Sequence, residues 1–455
     1  MTSSTLMISV SGMRGLVGSD LTPELVARHA AALGSWARAS GRPLVVLGRD
    51  ARTSGEMFTH AAVAGLMSVG VDVVDVGVVP TPTVQLAVEH HHAGAGLIIT
   101  ASHNPIAWNA LKFVGPDGIF LDAAAGTAVR RLAEQGVPRG GWDGIGSLRT
   151  DPDAIARHLD AVLALPLIDA PLIRSRGFRV ALDCVRGAGG RVIPALLERL
   201  GCEVIGIHLE TDGRFPHEPE PIPENLGDLS RLVRESGADI GMAVDPDVDR
   251  LALVDERGDP IGEDYTLAFA VRAVLGHPSS RGDGSIPTVV ANLSTSLVVE
   301  DAARECGGRF VRAPVGEANV AATIKAEKAL IGGEGNGGVI LPALHIGRDA
   351  PLGVALILQH LAVTAQRPSQ IVAAAPRYKI VKAKSPRGID LDVLYPALRS
   401  RFPDAEADMR DGLRLSWSDR WVHVRPSGTE PIIRYIAEAP TEALAQELIA
   451  TCQGL

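Results

Sequence analysis

The sequence is poor in aromatic residues and has no block of like charge, and both shortages argue against a nucleic-acid partner. Aromatic residues make up 4% of the chain, which leaves little side-chain surface on which bases could stack. The formal net charge is −9, and no basic tract supplies the electrostatic footprint of a nucleic-acid binder. We therefore expect no nucleic-acid partner, and any anionic ligand must be met by locally clustered charge.

Cysteines are equally few, and their positions exclude the usual sulfur-based frameworks. Four are present, without CxxC or CxH spacing: Cys184, Cys202, Cys306 and Cys452. They predict neither a disulfide framework nor a structural zinc site, and buried thiols in a reducing compartment are the simpler interpretation. The amino terminus lacks a signal-peptide pattern, and the longest uncharged helical stretch, residues 350–366, is short for a membrane span. We expect a cytoplasmic protein with no membrane partner.

The sequence does have the length and composition of a multidomain globular protein. Its 455 residues are too many for one hydrophobic core and predict roughly two to four domains. Hydrophobic residues make up 46% of the chain, and its 49 glycines and 30 prolines indicate many tight turns and loops that approach ligands through the backbone. No pattern specifies an oligomeric state.

Three stretches of the chain repeat one order of elements: strand, helix, strand, helix, strand, polar loop. The strands that close the three copies are predicted at residues 95–100, 239–244 and 329–333. The polar loops that follow them span residues 101–105, 245–250 and 334–338. Ligands of such α/β units collect beyond the carboxyl ends of the strands, so the three loops are the candidate functional loops.

The repeat predicts an α/β fold: three similar α/β domains with mixed, largely parallel sheets. The tail instead shows period-two strands between two helices, which predicts a C-terminal α+β domain with an antiparallel sheet. Breaks in the pattern place the domains at residues 1–150, 151–260, 261–375 and 376–455.

The first loop, TASHNP, places Ser102 directly after a buried strand, in a turn fixed by Pro105. A serine that projects from this edge can act as a nucleophile or carry a phosphate, and a plain turn serine is the alternative. In the second loop, DPDVDR, Asp245, Asp247 and Asp249 alternate, so their carboxylates can converge on one hard cation such as Mg²⁺. A solvated acidic turn is the alternative there, while an EF-hand is excluded because Arg250 takes the place of its glycine.

The third loop, residues 333–338, has a formal GxGxxG pattern but is followed by a strand, which disfavours both dinucleotide and ATP binding. Its acid Glu334 and amide Asn336, set among glycines, suit sugar hydroxyls, with a flexible hairpin as the alternative. In the last domain the loop of residues 425–431 combines the planar fork of Arg425 with hydroxyls and backbone amides. That combination predicts a phosphate clamp, with a bare hairpin turn as the alternative.

The motifs TASHNP, DPDVDR, a GE-rich loop and RPSGTEP, in this order and spacing, resemble those of the α-D-phosphohexomutase family. This family includes phosphoglucomutase, phosphomannomutase and phosphoglucosamine mutase, and has four domains around a central cleft. The resemblance implies that Ser102 is the phosphoserine and that Ser102 and the three aspartates hold Mg²⁺. It assigns the remaining site residues as follows: Arg14, His103 and Lys112 near the phosphoserine, and Arg250, Glu334, Asn336, Arg425, Ser427, Gly428 and Thr429 in substrate binding.

The family activity implied for this chain is the interconversion of hexose 6-phosphate and hexose 1-phosphate. Phospho-Ser102 would give its phosphoryl group to the substrate, and a hexose 1,6-bisphosphate would be both intermediate and activator. Of the two groups that could move the hydroxyl proton, Lys112 is favoured over His103. A phosphatase and a non-catalytic Mg²⁺-dependent sugar-phosphate sensor are the alternatives, against which the phosphate clamp and Ser102 argue respectively.

The sugar loop and the PEPIPEN segment most resemble phosphoglucosamine mutases and their bifunctional relatives, with phosphomannomutase and phosphoglucomutase as alternative activities. Two departures from the family pattern lie at the end of this loop, residues 336–338, and after it, residues 347–350. A histidine that many members carry is absent, which makes His345 a candidate replacement. The common Gly-Asp-Gly is also missing, which leaves Arg348 to meet phosphate or to cap the next helix.

Overall fold

The computed structural model describes residues 6–9, 12–281, 284–388, 390–427 and 432–454. Within these ranges the chain forms four sheets, and the first three are mixed sheets with helices packed on them. The fourth sheet is antiparallel throughout. The predicted fold class is therefore confirmed.

The first sheet has seven strands in the order β1-β2-β6-β5-β3-β4-β7. The strands are β1 (Met7–Ser9), β2 (Gly12–Leu16), β3 (Leu44–Arg49), β4 (Asp72–Val78), β5 (Ala95–Ile99), β6 (Trp108–Val114) and β7 (Leu148–Thr150). The helices are α1 (Pro23–Ala39), α2 (Gly55–Met67), α3 (Thr81–His90) and α4 (Ala123–Gln135). Strand β3 is parallel to β4 and β5, whereas β6 is antiparallel to both β5 and β2.

The second sheet has four strands in the order β11-β10-β8-β9. Its strands are β8 (Arg179–Asp183), β9 (Glu203–Ile207), β10 (Ile240–Val244) and β11 (Leu251–Val254). The helices are α5 (Ala154–Leu163), α6 (Ala170–Arg176), α7 (Gly189–Arg199) and α8 (Gly227–Ser236), with a 3₁₀ turn at Pro223–Asn225. Only β11, which follows the DPDVDR loop, runs antiparallel to its neighbour.

The third sheet repeats this plan in the order β13-β12-β14-β15. Its strands are β12 (Thr288–Asn292), β13 (Arg309–Ala313), β14 (Ile331–Glu334) and β15 (Gly338–Ile340). The helices are α9 (Asp264–Gly276), α10 (Leu297–Glu305), α11 (Glu317–Glu327), α12 (Ala350–Thr364) and α13 (Pro368–Ala374), with a 3₁₀ turn at Pro278–Arg281. Strand β15 closes a hairpin with β14 around the glycine-rich loop.

The last sheet has the order β16-β20-β19-β18-β17 and is covered by two helices. Its strands are β16 (Lys379–Pro386), β17 (Glu406–Asp408), β18 (Leu413–Ser416), β19 (Trp421–Pro426) and β20 (Ile432–Ala439). The helices are α14 (Leu391–Arg401) and α15 (Glu442–Gln453). The RPSGTEP motif begins at the end of β19, and Gly428 and Thr429 of that motif lie outside the described residues.

The central strands are continuous apolar runs because both faces of each sheet are covered. In β3, Val45 and Leu47 pack into one core cluster, while Val46 between them packs into a second cluster on the opposite face. Strand β5 is buried at every position. This pattern is expected when helices cover a largely parallel sheet on both sides. No helix in the part of the chain that the structure describes is both long and apolar enough to cross a bilayer.

Candidate active site

Ser102 lies where β5 ends, and its side chain points at the second domain. Its Oγ donates a hydrogen bond of 2.9 Å to Oδ2 of Asp245, which is 143 residues further along the chain. Its backbone N–H donates to Oγ1 of Thr100, and its φ of +51° is a left-handed conformation that is uncommon for a serine. Such backbone conformations concentrate at functional sites, where the surrounding structure enforces them.

Arg52 holds the serine loop, the TASHNP loop that contains Ser102, in its conformation. Sequence reasoning missed this residue. All five of its N–H groups are used: Nε donates to Oδ2 of Asp50, and the two terminal nitrogens donate to four backbone carbonyls. These carbonyls belong to Ser102, Asn104, Pro105 and Trp108. The side chains of Arg52 and Asp50 are completely buried. Their position just after β3, at the same sheet edge as Ser102, was the signal that could have identified them.

The three aspartates of DPDVDR converge as predicted. All are fully buried, and one carboxylate oxygen from each lies within 4.8 Å of the others. Oδ1 of Asp245 accepts the backbone N–H groups of Asp249 and Arg250. By contrast, Oδ1 of Asp247 and Oδ1 of Asp249 are buried and accept no hydrogen bond from any described residue. Buried anionic oxygens without donors are the ligands that a hard cation requires, so this cluster is a candidate metal site.

A cationic side chain from the first domain, that of Lys112, approaches the same carboxylates. Nζ of Lys112 lies 2.7 Å from Oδ2 of Asp247 and 3.6 Å from Oδ2 of Asp249. Burial acts to lower the pKa of Lys112, but the two carboxylates outweigh it and raise that pKa above its usual value. Burial and the two neighbouring aspartates raise the pKa of Asp245. Negative charge from the three aspartates is thus concentrated around Asp245, next to the hydroxyl of Ser102.

Arg14 and His103 both lie at the serine loop. Strand β2 pairs with β6, which brings Arg14 to the loop, where its Nη1 donates a 2.6 Å hydrogen bond to Oδ1 of Asn104. Nδ1 of His103 is 3.4 Å from Oγ of Ser102. Burial, followed by the charges of Arg250 and Arg14, lowers the pKa of His103 to about 2. His103 is therefore a neutral imidazole at physiological pH.

Two further contacts complete the junction of the first two domains, and each involves a residue that was not among the predicted site residues. The hydroxyl of Thr81, at the start of α3, donates a 2.7 Å hydrogen bond to Oδ2 of Asp247. Nη1 of Arg250 donates to Oε1 of Glu220, which also lies 3.8 Å from Nε2 of His103. The structure thus brings Ser102, Lys112 and the acidic triplet together as predicted, and adds Thr81 and Glu220 to them.

The glycine-rich loop of the third domain reaches this centre through Arg348. The buried guanidinium of Arg348 donates to Asp249 at 2.6 Å, to Glu334 at 3.1 Å and to Glu317 at 3.0 Å. Oε1 of Glu334 also accepts from Asn292 and from the backbone of Gly316. Asn336 is half-buried, and its Oδ1 accepts only the nearby N–H of Gly338 among the described residues. Arg348 therefore joins the DPDVDR loop to the glycine-rich loop.

These contacts bear on two expectations. Three carboxylates hold Arg348, and its contact with a phosphate stays a prediction. Arg348 is not the helix cap, because Asp349 caps α12 through the backbone N–H of Leu352. His345 is buried, and its Nε2 lies 3.0 Å from Asp349, which also contacts His158 of α5. His345 therefore supports the packing of α12 on its neighbours.

The loop of the fourth domain is tied to the third domain. Nε of Arg425 lies 3.1 Å from Oδ2 of Asp411, which also accepts the backbone N–H of Val315. Ser427 is buried, and its backbone N–H donates to the carbonyl of Ile432. Glu438 of β20 accepts from Leu297 at 2.8 Å, at the amino terminus of α10. Arg425 is thus anchored against the sugar-loop domain.

Comparisons with known proteins match each of the four domains to one protein family. The sequence matches the phosphoglucomutase/phosphomannomutase alpha/beta/alpha domain I over residues 6–138, domain II over residues 156–258 and domain III over residues 262–378. It matches the C-terminal domain of the same proteins over residues 370–452.

Relatives match over nearly their whole length. A probable phosphoglucosamine mutase of Methanopyrus kandleri and a phosphoglucomutase/phosphomannomutase of Thermococcus kodakarensis are each 38% identical, over 96% of this chain and 95% of their own. The crystal structure of a phosphoglucomutase/phosphomannomutase family protein from Burkholderia thailandensis is 27% identical, with a TM-score of 0.84 over 98% of this chain and 96% of the other. The chain belongs to the phosphoglucomutase/phosphomannomutase family and is an isomerase of the phosphohexomutase class.

Proposed function

We propose that this protein interconverts hexose 6-phosphate and hexose 1-phosphate through phospho-Ser102 and a hexose 1,6-bisphosphate. The observation that carries the proposal is the hydrogen bond between Ser102 and Asp245, which joins the candidate phosphate carrier to the candidate metal site. In the first transfer the P–Oγ bond of phospho-Ser102 breaks, a P–O bond forms to the free sugar hydroxyl, and the hydroxyl proton passes to the serine oxygen. The second transfer reverses these changes with the other phosphate of the sugar.

The residues around Ser102 suit such a transfer because it requires mainly positioning and charge neutralisation. The ammonium of Lys112 and the guanidinium of Arg14 bring positive charge to the loop. We assign the proton transfer to Lys112: its ammonium would give a proton to the departing serine oxygen, and the amine would then take up the proton of the sugar hydroxyl. Asp245, Asp247 and Asp249, together with the phosphoserine, would hold Mg²⁺. A bound Mg²⁺ would neutralise charge on the phosphoryl oxygens.

Glu334 and Asn336 are proposed to select the sugar. A carboxylate can accept about four hydrogen bonds. The described contacts of Glu334 use two at Oε1 and one at Oε2, which leaves Oε2 able to accept one sugar hydroxyl. Asn336, which is less buried, can offer its amide group to another hydroxyl. We also propose Arg250 as a substrate contact. Its Nη1 donates a hydrogen bond to Glu220, which holds the side chain in place.

The preferred hexose is proposed to be glucosamine, with mannose and glucose phosphates as the alternatives. The names of the two 38% identical relatives include both groups: one is a probable phosphoglucosamine mutase, and the other is a phosphoglucomutase/phosphomannomutase. The GEGNGG form of the sugar loop and the PEPIPEN segment favour the first.

A coupled assay tests the proposed activity directly. The purified protein is supplied with the 1-phosphates or 6-phosphates of glucosamine, glucose and mannose, with Mg²⁺ and a trace of the matching 1,6-bisphosphate. A mutase converts each accepted substrate to its isomer without releasing inorganic phosphate. Stoichiometric phosphate release would identify a phosphatase, and binding without turnover would identify a sensor, so either result would reject the proposal.

The acidic triplet provides a prediction about metal affinity. Asp247→Asn removes one of three anionic ligands, so we expect Mg²⁺ affinity to fall by about 10- to 100-fold and the rate at limiting Mg²⁺ to fall with it. Calorimetric titration with Mg²⁺ measures the affinity. Asp228→Asn, at a partly exposed surface pair with Arg231, is the matched control and should bind like wild type. Equal affinity in both variants would place the metal elsewhere.

Arg425, with Ser427, Gly428 and Thr429, is proposed to hold the phosphate that is not reacting. Asp411 pairs with Nε of Arg425, which leaves the two terminal nitrogens of the guanidinium for the phosphate. A charge-assisted contact of this kind is worth roughly 1.5–3 kcal/mol, so Arg425→Ala should lower kcat/KM by about 10- to 100-fold. Most of the loss should appear in KM.

The bisphosphate requirement separates this clamp from a structural role. If the clamp retains the bisphosphate between the two transfers, Arg425→Ala should release it more often and need more added bisphosphate for full activity. The exposed arginine Arg399→Ala is the control, because it lies on α14 away from the loop. A wild-type KM and bisphosphate requirement in Arg425→Ala would remove the clamp from the proposal.

A further inference from the structure

A second group of metal-ligand side chains lies at the carboxyl edge of the second sheet. Asp183 ends β8, and His208 directly follows β9, its parallel neighbour, in which Ile207 pairs with Asp183. His217 returns to the same place from the following segment. The two histidines are partly buried, whereas the side chain of Asp183 is only 2% exposed. The parallel register therefore explains why Asp183 and His208 meet although they are 25 positions apart, while the path of the following segment brings in His217, 34 positions from Asp183.

The geometry of the group suits one bound metal ion. Nδ1 of His208 lies 3.1 Å from Oδ1 of Asp183, and Nε2 of His217 lies 3.0 Å from Oδ2 of Asp183. All the ligand atoms lie within 4.8 Å of one another. Donors bound tetrahedrally to zinc at about 2.0–2.1 Å are about 3.3 Å apart. The two distances to Asp183 are close to this value, and the remaining separations within the group are at most 4.8 Å.

The hydrogen bonds of His217 are compatible with a bound metal ion. Its Nδ1 lies 2.9 Å from the carbonyl oxygen of Glu218, while its Nε2 faces the carboxylate of Asp183. Both partners are acceptors; without a metal ion an imidazolium satisfies them with its two N–H groups, and the contact with Asp183 raises the pKa of His217. A metal ion at Nε2 would replace that proton, because Nδ1–H still donates to the carbonyl and Nε2 offers its lone pair. Metal-bound histidines usually show this arrangement.

Asp183 is also prepared as a ligand. Its Oδ1 accepts a 2.8 Å hydrogen bond from the backbone N–H of Val185, which fixes the orientation of the carboxylate. Ligating carboxylates are commonly held by such bonds. We propose that Asp183, His208 and His217 bind one transition-metal ion, most suitably Zn²⁺, with water as the fourth ligand. Two imidazoles and one carboxylate suit zinc, whereas the all-oxygen triplet suits Mg²⁺.

The proposed ion would fix the segment of residues 208–222, which runs to the active site. A Cβ added at Gly213 would lie 2.1 Å from the carbonyl oxygen of Ala51, so this segment packs directly on the turn that contains Arg52. The ring of Phe215 lies 5.0 Å from the guanidinium of Arg52, and Glu220 accepts from Arg250. The proposed ion would therefore hold the segment that supports the serine loop.

Zinc binding is tested on the full chain after removal of metals. The protein is held in excess Mg²⁺ to occupy the acidic triplet and is titrated with Zn²⁺ against a chromophoric chelator. We expect one Zn²⁺ per chain. His208→Ala and His217→Ala should each weaken binding by about 100-fold or more. His60→Ala, which alters an exposed histidine of α2, should bind like wild type.

Two further readouts locate the ion and its effect. Asp247→Asn should keep the zinc stoichiometry, which would show that the ion is not at the triplet. Zn²⁺ should raise the Tm of wild type and His60→Ala but not that of the two ligand variants, because an ion that binds only the folded state stabilises it. Thermal unfolding without metal verifies that each variant folds, and His217→Gln replaces His217→Ala if the latter does not.

The proposal is wrong if wild type binds no Zn²⁺ in excess Mg²⁺, since Asp183 would then only hydrogen-bond to two histidines. It is equally wrong if the ligand variants bind Zn²⁺ as tightly as His60→Ala does, or if Asp247→Asn abolishes zinc binding. These outcomes do not depend on mutase turnover. A result that rejects the zinc site would therefore not contradict the proposed mutase activity, and a result that rejects the mutase activity would not contradict the zinc site.

Discussion

Ser102→Ala is expected to leave a folded protein whose mutase rate is lower by at least about 10⁴-fold, because it removes the atom that carries the phosphoryl group. The stability cost should be small. The serine loop is held through its backbone carbonyls by Arg52, and Oγ makes a 2.9 Å hydrogen bond to Asp245 and a longer, 3.4 Å contact with Nδ1 of His103. A single hydrogen bond is worth about 1 kcal/mol. Initial rates with added bisphosphate and a thermal unfolding curve measure the two effects.

The matched control is Ser175→Ala, which removes an exposed hydroxyl that bonds only to its own helix among the described residues. It should keep wild-type activity. Intact-mass measurement and peptide mapping should also show one phosphate on the peptide that contains Ser102 in wild type and none there in Ser102→Ala. Appreciable turnover by Ser102→Ala, or fully active wild type without phosphate, would contradict the carrier role.

That Ser102 and Asp245 each lie at the carboxyl edge of a sheet could be predicted from the sequence, because each residue follows a strand in an α/β unit. The two residues belong to different sheets, so their contact depends on how the first two domains pack, and only the family resemblance indicated it. The alternation of Asp245, Asp247 and Asp249 likewise predicts that their carboxylates converge, and they do. Local spacing and sheet topology were sufficient for this part of the site.

The role of Arg348 could not be predicted in this way. Its carboxylate partners lie 14, 31 and 99 residues away, and the most distant, Asp249, belongs to the second domain, so its placement is set by domain packing. An arginine after a loop has no periodic pattern that identifies distant partners. The same holds for Asp183, His208 and His217, whose meeting depends on the register of β8 against β9 and on the path of the following segment.

Arg52 is the residue for which we expect the second largest effect. Arg52→Met should lower the free energy of unfolding by roughly 3–5 kcal/mol, because it leaves the buried carboxylate of Asp50 without its cation. Four carbonyls of the serine loop would also lose their donor. We expect the mutase rate to fall by about 100-fold, since a misplacement of about 1 Å at a reacting group has costs of this size.

Arg52→Lys distinguishes the loss of charge from the loss of geometry. Lysine keeps a cation beside Asp50 but has three donors in place of five, so it should recover most of the stability and little of the rate. Arg42→Met, at an exposed position before β3, is the control and should change neither. If Arg52→Lys recovers rate and stability in equal proportion, charge alone explains Arg52 and its fork geometry does not position the loop.

The pH dependence of Arg52→Met provides a third readout that a general packing defect would not give. Burial already raises the pKa of Asp50, and Arg52 acts to lower it. Without Arg52 that pKa must rise further, so the folded variant holds a proton on Asp50 that the unfolded chain loses above about pH 4. The stability of the variant relative to wild type should therefore fall as pH rises above this value, until it passes the pKa of Asp50 in the folded variant. Denaturant unfolding measured at several pH values tests this, and a difference that stays constant with pH would show that the arginine does not act through the charge of Asp50.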